Sequence, residues 1–323
     1  MSGAAASGQI SILFPQQPVT GRDIVPFGHI VRDSRAARLW MGQSLRVETH
    51  PAFAYLAGTG CHVPIGIGVG LMVLRHPLDA ALQARALAVL SESPVTVAYG
   101  AADPGFVRSI RGDPYDRPAA AVEEYVTVMR ALLAGERVRH SGPLFDIDQA
   151  LPPLDHPPVE VGAGVLRPAM ARAAGRSAQA AVTWLTPPGY LRDAIVPALA
   201  AGAGSRQPPR LAAVVHVGAD RPGRSPMLMA QHAAINHLRA AHYTDMLRRA
   251  GLDVDASDPV SGARELVEEG VYVYGKPGDL AAGIRRYHAA GVDEVILNPT
   301  AVWSLYGAAD VFRDLEQILA EFG

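Results

Sequence analysis

The sequence of 323 residues is 49% hydrophobic and 19% charged, which excludes a disordered chain and provides enough apolar material for a large core. Its formal net charge of −2 at pH 7 gives no basic field that would attract nucleic acid or an anionic membrane surface. We therefore expect a globular protein with a small-molecule substrate, and with no nucleic-acid or membrane partner.

Short runs rich in β-branched residues alternate with longer amphipathic runs, a pattern typical of a parallel sheet covered by helices. In chain order, strands are predicted at Gln9–Phe14, Arg38–Met41, Ile65–Val69, Pro94–Ala98, Val159–Gly162, Ala180–Leu185, Leu211–Val217 and Glu294–Asn298. The clearest helices are predicted at His76–Leu90, Arg117–Ala134, Pro187–Ala200, Pro277–Ala290 and Gly307–Phe322.

Eight β/α pairs predict an α/β protein with the (β/α)8 architecture of a TIM barrel, as one domain over residues 1–323. The active site of such a barrel lies at the carboxyl ends of its strands. A doubly wound open sheet with a small appended domain gives a similar alternation and is the alternative.

A helical insertion is predicted after the seventh strand, at about residues 218–270. It opens with a polar Asp-Arg-Pro-Gly-Arg turn and continues in segments rich in alanine, histidine and arginine. The functional loops of such barrels follow the carboxyl ends of the strands, which is where this insertion begins. Three histidines in it, His232, His237 and His242, recur every five residues. This spacing spreads side chains around a helix, so the sequence predicts no metal site there.

Residue types that occur only once limit the possible catalytic chemistry and indicate the cellular compartment. Cys61 is the one cysteine, which excludes an intramolecular disulfide and a cysteine-rich metal site and favours a reducing compartment. Lys276 is the one lysine and lies in a Gly-Lys-Pro-Gly turn, which argues against Schiff-base catalysis. Residues 2–9 lack the basic start and apolar run of a signal peptide, so a cytoplasmic protein is expected.

A series of short motifs follows the predicted elements in order. The third strand leads into Arg75-His76-Pro77, and then come Val95-Thr-Val-Ala-Tyr-Gly100, Ser141-Gly-Pro-Leu-Phe145, Pro158-Val-Glu-Val-Gly162, Gly275-Lys-Pro-Gly278 and Tyr287-His-Ala-Ala-Gly-Val-Asp-Glu294. In order and spacing they resemble the bacterial luciferase-like superfamily of flavin and deazaflavin oxidoreductases over nearly the whole chain. The resemblance implies a barrel that binds a tricyclic cofactor.

The resemblance also implies which residues hold that cofactor. In this family a non-prolyl cis peptide at the end of strand 3 supports the back of the ring, and Gly68 and Val69 occupy its place. Backbone amides after strand 5 and the start of the next helix bind the cofactor phosphate. Small residues there allow close approach of the backbone, and the helix dipole favours an anion. The implied cofactor-binding residues are Gln43, Gly68, Val69, Gly100, Ala101, Gly162, Ala163, Gly164 and Arg167.

Catalytic and substrate residues are assigned by position. Gln43 and Ser44 stand where deazaflavin-dependent sugar-phosphate dehydrogenases of the family have an aspartate and a catalytic histidine, so alcohol oxidation by that route is disfavoured. Asp103 matches the place of the family's acidic proton donor, and its alternative role is a turn residue before Pro104. The residues assigned to the substrate pocket are Ser44, His50, Trp184 and His216, and the last three have packing or a surface position as their alternative role.

Three functions are compatible with these features. The first is a reductase in which reduced coenzyme F420 delivers hydride to a C=C or C=N bond of a small organic or natural-product substrate. The second is a monooxygenase that uses reduced FMN and oxygen. The third is a cofactor-binding protein without catalysis, suggested by the missing strand-2 histidine. A homodimer is compatible with all three.

Overall fold

Residues 8–322, which the computed structural model describes, form eleven strands. These are β1 (Gln9–Leu13), β2 (Leu39–Met41), β3 (Ile65–Leu71), β4 (Val95–Gly100), β5 (Val138–Ser141), β6 (Asp146–Gln149), β7 (Val159–Gly164), β8 (Ala180–Trp184), β9 (Arg210–Ala219), β10 (Val273–Gly275) and β11 (Glu294–Asn298). Eight pair in parallel in the order β1, β2, β3, β4, β7, β8, β9, β11, and β11 returns to β1. The predicted (β/α)8 barrel is confirmed, and its closure excludes the open sheet.

Fourteen helices occur in the same residues: α1 (Val25–Asp33), α2 (Thr49–Gly58), α3 (Pro77–Ser91), α4 (Pro104–Arg111), α5 (Pro118–Leu133), α6 (Pro168–Ser177), α7 (Pro188–Tyr190), α8 (Val196–Ala203), α9 (Pro226–Leu238), α10 (Ala241–Arg249), α11 (Pro259–Glu268), α12 (Pro277–Ala289), α13 (Thr300–Tyr306) and α14 (Ala308–Ala320). Most have proline in their first two positions, where its fixed φ and missing N–H suit a helix start. Among residues 8–322, no helix is both long and apolar enough to cross a membrane.

Several strands run further than their sequence pattern predicts. β4 continues to Gly100, β7 to Gly164 and β9 to Ala219. Glycine and alanine have low strand propensity, but pairing with neighbouring strands overrides it. The hairpin of β5 and β6 was not predicted at all. It pairs antiparallel outside the barrel, and β10 adds to β9 as an extra parallel strand.

The segment between β9 and β10 contains α9, α10 and α11, so helices follow the seventh barrel strand. The turn after β9 is attached to the last helix of the chain. Arg221 Nε lies 2.8 Å from Asp314 Oδ1, and Arg224 also pairs with this buried carboxylate. These ion pairs fix the start of the helical segment beside α14.

A charged layer closes the amino-terminal end of the barrel. Glu294 is fully buried and accepts a hydrogen bond of 2.7 Å from Trp40 Nε1. Arg38 Nε lies 3.1 Å from the same carboxylate, and Arg210 pairs with both Glu294 and Glu160. Burial lowers the pKa of Arg38. Two partly buried cations therefore depend on carboxylates for their compensation.

An apolar layer lies above the charged one inside the barrel. It consists of Leu13, Trp40, Ala98, Val182, Ala212, Val214 and Ile296. A Cβ on Gly66 would lie 2.0 Å from the Trp40 ring, so this close approach of β3 to Trp40 requires glycine. Because both lower layers are filled, the open end of the barrel is the carboxyl end of its strands.

Candidate active site

A cavity of about 1100 Å³ opens at the carboxyl ends of β3, β4, β7 and β8. Its inner lining includes Gly68, Val69, Gly100, Ala101, Gly164 and Trp184, which are strand-end residues named by the sequence prediction. The starts of α5 and α6 and part of α10 form its outer lining. This position is the one that barrel enzymes use for their active sites.

The wall on β3 and β4 is shaped by a cis peptide bond between Gly68 and Val69. This bond was expected from the resemblance and is confirmed. The pairing of β3 with β4 shifts by one residue between Gly68 and Gly70. A Cβ on Gly100 or Gly164 would lie 3.2 or 3.0 Å from the Val69 side chain. Glycines thus surround Val69 and form a flat, uncharged surface, which we call the glycine wall (Gly68, Val69, Gly100 and Gly164).

Gln43 supports the glycine wall from behind. Its backbone N–H donates to the Val69 carbonyl at 3.2 Å, and its side-chain Oε1 accepts from the Leu71 N–H at 3.4 Å. Gln43 does not line the cavity. The structure therefore places it as a support of the β3 bulge, rather than on the surface where a cofactor would lie.

Ser44 and His50 also lie outside the cavity lining. The loop after β2 folds back, so that the Ser44 N–H donates to Thr49 Oγ1 at 3.1 Å. His50 is 7% exposed, and its Nδ1 lies 3.2 Å from Glu48 Oε1. Ser44 and His50 follow a strand end in the sequence, but their side chains do not reach the cavity.

Glu48 links this loop to the segment after β3. Its Oε1 lies 3.0 Å from Nη2 of Arg75, the arginine of the Arg-His-Pro sequence, whose side chain is 8% exposed. Burial alone would raise the pKa of Glu48. The hydrogen bonds and charges of His50 and Arg75 outweigh burial and lower the pKa from 4.5 to about 2.

The lowered pKa of Glu48 predicts a pH-dependent stability. A carboxyl with a folded pKa below its unfolded 4.5 stabilises the fold above that pH, and the contribution is lost as the pH falls toward 2. We expect the free energy of unfolding to fall more steeply in wild type than in Glu48→Gln between about pH 5 and pH 3. Urea denaturation across this range measures both slopes. The exposed Glu92→Gln is the control and should follow wild type; parallel curves for E48Q and wild type would contradict the expectation.

Asp103 lies at the mouth of the cavity and caps α4. Its Oδ1 accepts from the N–H groups of Gly105 at 2.8 Å and Phe106 at 3.2 Å. The carboxylate is exposed and lines the cavity. The turn role is thus observed, and the role of proton donor stays a prediction.

His242 also lines the cavity, and sequence reasoning missed it. Burial lowers its pKa, while the nearby charge of Asp103 acts in the opposite direction. The argument from spacing assumed one helix, but α9 ends at Leu238 and α10 begins at Ala241. This break separates His242 from His232 and His237. Among residues 8–322, no group of three or more His, Cys, Asp or Glu side chains is arranged to hold a metal ion.

The outer end of the cavity is built from two helix starts. Pro118 and Ala119 of α5 line it, as do Pro168 and Ala169 of α6. Neither helix has a side-chain cap at its amino terminus. The unpaired N–H groups and the helix dipole make such ends attractive to anions. Gly162 and Ala163 are buried within β7, so the expected phosphate loop begins only at Gly164.

Five arginines surround this outer end, against two carboxylates in the lining, Asp103 and Glu123. Arg176 pairs with Glu123 through two contacts of 2.7 Å. Arg167 and Arg249 both pair with Asp245, at 3.1 and 3.0 Å. Within residues 8–322, the remaining two, Arg117 and Arg172, have no ion-pair partner. We call these five residues the arginine end (Arg117, Arg167, Arg172, Arg176 and Arg249).

The sequence model of the luciferase-like monooxygenase family matches residues 36–294, which include the glycine wall and all five residues of the arginine end. The chain belongs to the luciferase-like monooxygenase family. No curated protein matches its sequence.

Solved structures similar to this luciferase-like protein include enzymes with either type of cofactor. An F420-dependent secondary alcohol dehydrogenase, in complex with an F420-acetone adduct, is 17% identical with a TM-score of 0.73, and the match covers 97% of this chain and 99% of that one. The coenzyme F420-dependent tetrahydromethanopterin reductase from Methanopyrus kandleri is 16% identical, with a TM-score of 0.75 and 98% of each chain covered.

The oxygenating constituent of 3,6-diketocamphane monooxygenase, from the CAM plasmid of Pseudomonas putida and in complex with FMN, is also similar. It is 16% identical, with a TM-score of 0.69 and 98% of each chain covered. The luciferase-like fold of this chain is thus shared with proteins that bind a flavin and with proteins that bind a deazaflavin.

Trp184 and His216 of this luciferase-like protein lie on the side of the barrel formed by β8 and β9. Trp184 lines the cavity. His216 is 1% exposed and does not line the cavity, and its ring centroid lies 6.0 Å from that of Trp184. Of the four residues assigned to the substrate pocket from sequence, only Trp184 contributes to the cavity lining.

Proposed function

We propose that this protein is an oxidoreductase that uses reduced coenzyme F420 to reduce a C=C or C=N bond of a small organic or natural-product substrate. The observation that carries the proposal is the pairing of an uncharged glycine wall with an arginine end in one cavity. Coenzyme F420 has a tricyclic ring and a side chain with a phosphate and several carboxylates. FMN has a ring and one phosphate.

The residues present fit such a cofactor. A planar ring needs a flat surface, and no side chain of the glycine wall is larger than that of Val69. The starts of α5 and α6 suit a phosphate. Arg117 and Arg172, which lack ion-pair partners among the described residues, suit further carboxylates, because paired guanidinium and carboxylate groups form strong charge-assisted hydrogen bonds. When bound, the reduced cofactor supplies a hydride.

The protein's own residues would position the reactants and handle the proton. Trp184 and Tyr243 place aromatic surface beside the glycine wall and exclude water from it. Both helix-capping bonds of Asp103 use Oδ1, which leaves Oδ2 to carry a proton. We therefore retain Asp103 Oδ2 as the proposed proton donor, with His242 as the neighbouring titratable group.

An FMN-dependent monooxygenase is the second candidate. The observation that favours it is the helix start at Pro168, which is sufficient for a single phosphate without the rest of the arginine end. The two candidates differ in the charge of the cofactor side chain, so they differ in how strongly salt should weaken binding.

Titration of the purified protein with each cofactor, followed by fluorescence, tests the proposal. We expect coenzyme F420 to bind at least about tenfold more tightly than FMN at low salt, because its additional carboxylates meet the arginine end. We also expect the F420 affinity to fall more steeply between about 50 and 500 mM NaCl, since exposed charges are screened. Tight FMN binding without any response to F420 would overturn the proposal in favour of the monooxygenase.

A further inference from the structure

Four side chains on one side of the barrel have buried polar atoms without hydrogen-bond partners among residues 8–322. These atoms are Trp184 Nε1, both ring nitrogens of His216, His237 Nδ1 and Asn298 Nδ2. His216 and Asn298 are each 1% exposed. Leaving a buried donor or acceptor unpaired is costly, so such atoms are rarely grouped without a purpose. We call these four residues the polar cluster.

The members of the polar cluster are neighbours in space. His216 and Asn298 are paired residues of β9 and β11. The Trp184 and His237 rings stack at 5.7 Å with an interplanar angle of 23°. The His216 ring lies 6.0 Å from Trp184 and 6.4 Å from His237. The three rings of the cluster therefore lie within 6.4 Å of one another.

Strand geometry directs the cluster into the barrel. Val182, Val214 and Ile296 point inward as part of the apolar layer. Side chains two residues further along each strand lie on the same face, so Trp184, His216 and Asn298 also point inward, one layer higher. Trp184 belongs to the cavity lining as well, so the cluster borders the inner end of the cavity.

The cluster faces the glycine wall across the barrel. In the closed order of eight strands, β9 is four strands from β3 in either direction, which places them on opposite sides. Under the proposed function a ring held against β3 turns its free face toward β9. A substrate between the two would meet the polar cluster at Trp184, the member that lines the cavity.

The chemistry of the cluster selects an uncharged acceptor group. Burial lowers the pKa of His216 to about 3 and that of His237 to about 4, so both imidazoles are neutral near pH 7. Trp184 Nε1 can only donate. Asn298 Oδ1 accepts from the Thr300 N–H at 3.0 Å, which leaves Nδ2 as a donor. The cluster thus presents the donors of Trp184 and Asn298 and one donor nitrogen on each imidazole, whose other nitrogen accepts, all without a formal charge. A buried carboxylate would lack a compensating cation there.

We propose that the polar cluster binds an uncharged carbonyl group of the substrate, conjugated to the bond that is reduced. Trp184 and Tyr243 flank the position, and the Tyr243 ring contacts that of His237 at 4.8 Å. This aromatic surround suits a planar conjugated substrate. The choice of a conjugated carbonyl rests on the proposed reductase function, whereas the binding of an uncharged acceptor does not.

Three probes of similar shape test the proposal by binding alone. Benzalacetone has an uncharged carbonyl conjugated to a C=C bond, cinnamate has a carboxylate in its place, and β-methylstyrene has neither. Calorimetry with the full chain should show that benzalacetone binds at least about tenfold more tightly than the other two, because buried donors discriminate strongly against ligands that leave them unpaired. Equal affinity for benzalacetone and β-methylstyrene would overturn the proposal.

His216→Phe is the main variant, since it keeps an aromatic ring at this position and removes both unpaired nitrogens. We expect benzalacetone binding to weaken by about tenfold, as for the loss of one buried hydrogen bond, while the melting temperature stays the same or rises. The matched control is His232→Phe, an exposed histidine on the same helix as His237. Unchanged benzalacetone binding in H216F would overturn the proposal.

Asn298→Asp provides a second variant if H216F does not fold. It keeps the oxygen that accepts from Thr300 and replaces the donor with an acceptor, so it should also weaken benzalacetone binding. Titration with coenzyme F420 separates this inference from the proposed function. Loss of benzalacetone binding in H216F with no F420 binding in wild type would retain the acceptor site and reject the cofactor. F420 binding in wild type, with unchanged benzalacetone binding in both variants, would retain the cofactor and reject the acceptor site.

Discussion

Replacing Glu294 by leucine is expected to lower the free energy of unfolding by about 3–5 kcal/mol, which is the usual cost of leaving buried charges unpaired. Glu294 is fully buried and pairs with both Arg38 and Arg210, and it also accepts from Trp40. The leucine leaves Arg38 without an ion-pair partner and leaves Arg210 with Glu160 alone, while both guanidinium groups stay in the barrel. Urea denaturation followed by circular dichroism measures the change.

The control for this prediction is Glu316→Leu, an exposed position on α14. Substitutions at such surface positions usually change stability by no more than about 0.5 kcal/mol. If E294L were as stable as E316L, the charged layer would not contribute to the stability of the barrel, and the prediction would be wrong.

The double variant Arg117→Glu, Arg172→Glu is expected to weaken coenzyme F420 binding by about 100-fold, since two charge-assisted hydrogen bonds are lost and two like charges are introduced. Both arginines are exposed at the arginine end and have no ion-pair partner among the described residues, so the fold should not depend on them. Fluorescence titration at low salt measures the affinity.

Two comparisons make this result specific. Arg35→Glu changes an exposed arginine that precedes β2, at the other end of the barrel, and should leave F420 binding unchanged. FMN binding should weaken less than F420 binding in the double variant, because FMN has fewer negative charges. An equal loss for both cofactors would show that these arginines serve only the phosphate shared by the two.

The barrel could be predicted from the alternation of strand and helix patterns, because that alternation has few compact solutions. The ends of the strands could not. Gly100 and Gly164 stop a hydrophobic pattern, yet both continue their strands because neighbouring backbones pair with them. Because glycine has a low strand propensity, the sequence does not predict that these two residues belong to strands. Their lack of a side chain allows Val69 to lie between them.

The site was predictable only in part. The place of Gly68 and Val69 came from the resemblance, since no pattern in the residues themselves distinguishes this strand from an ordinary buried one. Ser44 and His50 follow β2 in the sequence, but the loop folds back behind β3. His242 was missed because the break between α9 and α10 depends on packing that the helical spacing of the histidines does not reveal.

Trp40 gives the barrel an asymmetry with an evolutionary consequence. Its indole N–H is held by Glu294, and its ring lies where a Cβ on Gly66 or Gly68 would be only 2.0 or 2.9 Å away. The β2–β3 half of the barrel is therefore intolerant of new side chains. The opposite half holds Trp184, His216 and Asn298 on β8, β9 and β11. Mutations there can change which compound is accepted without disturbing the wall, so a laboratory library aimed at new substrates should sample β8, β9, β11 and the helices above them.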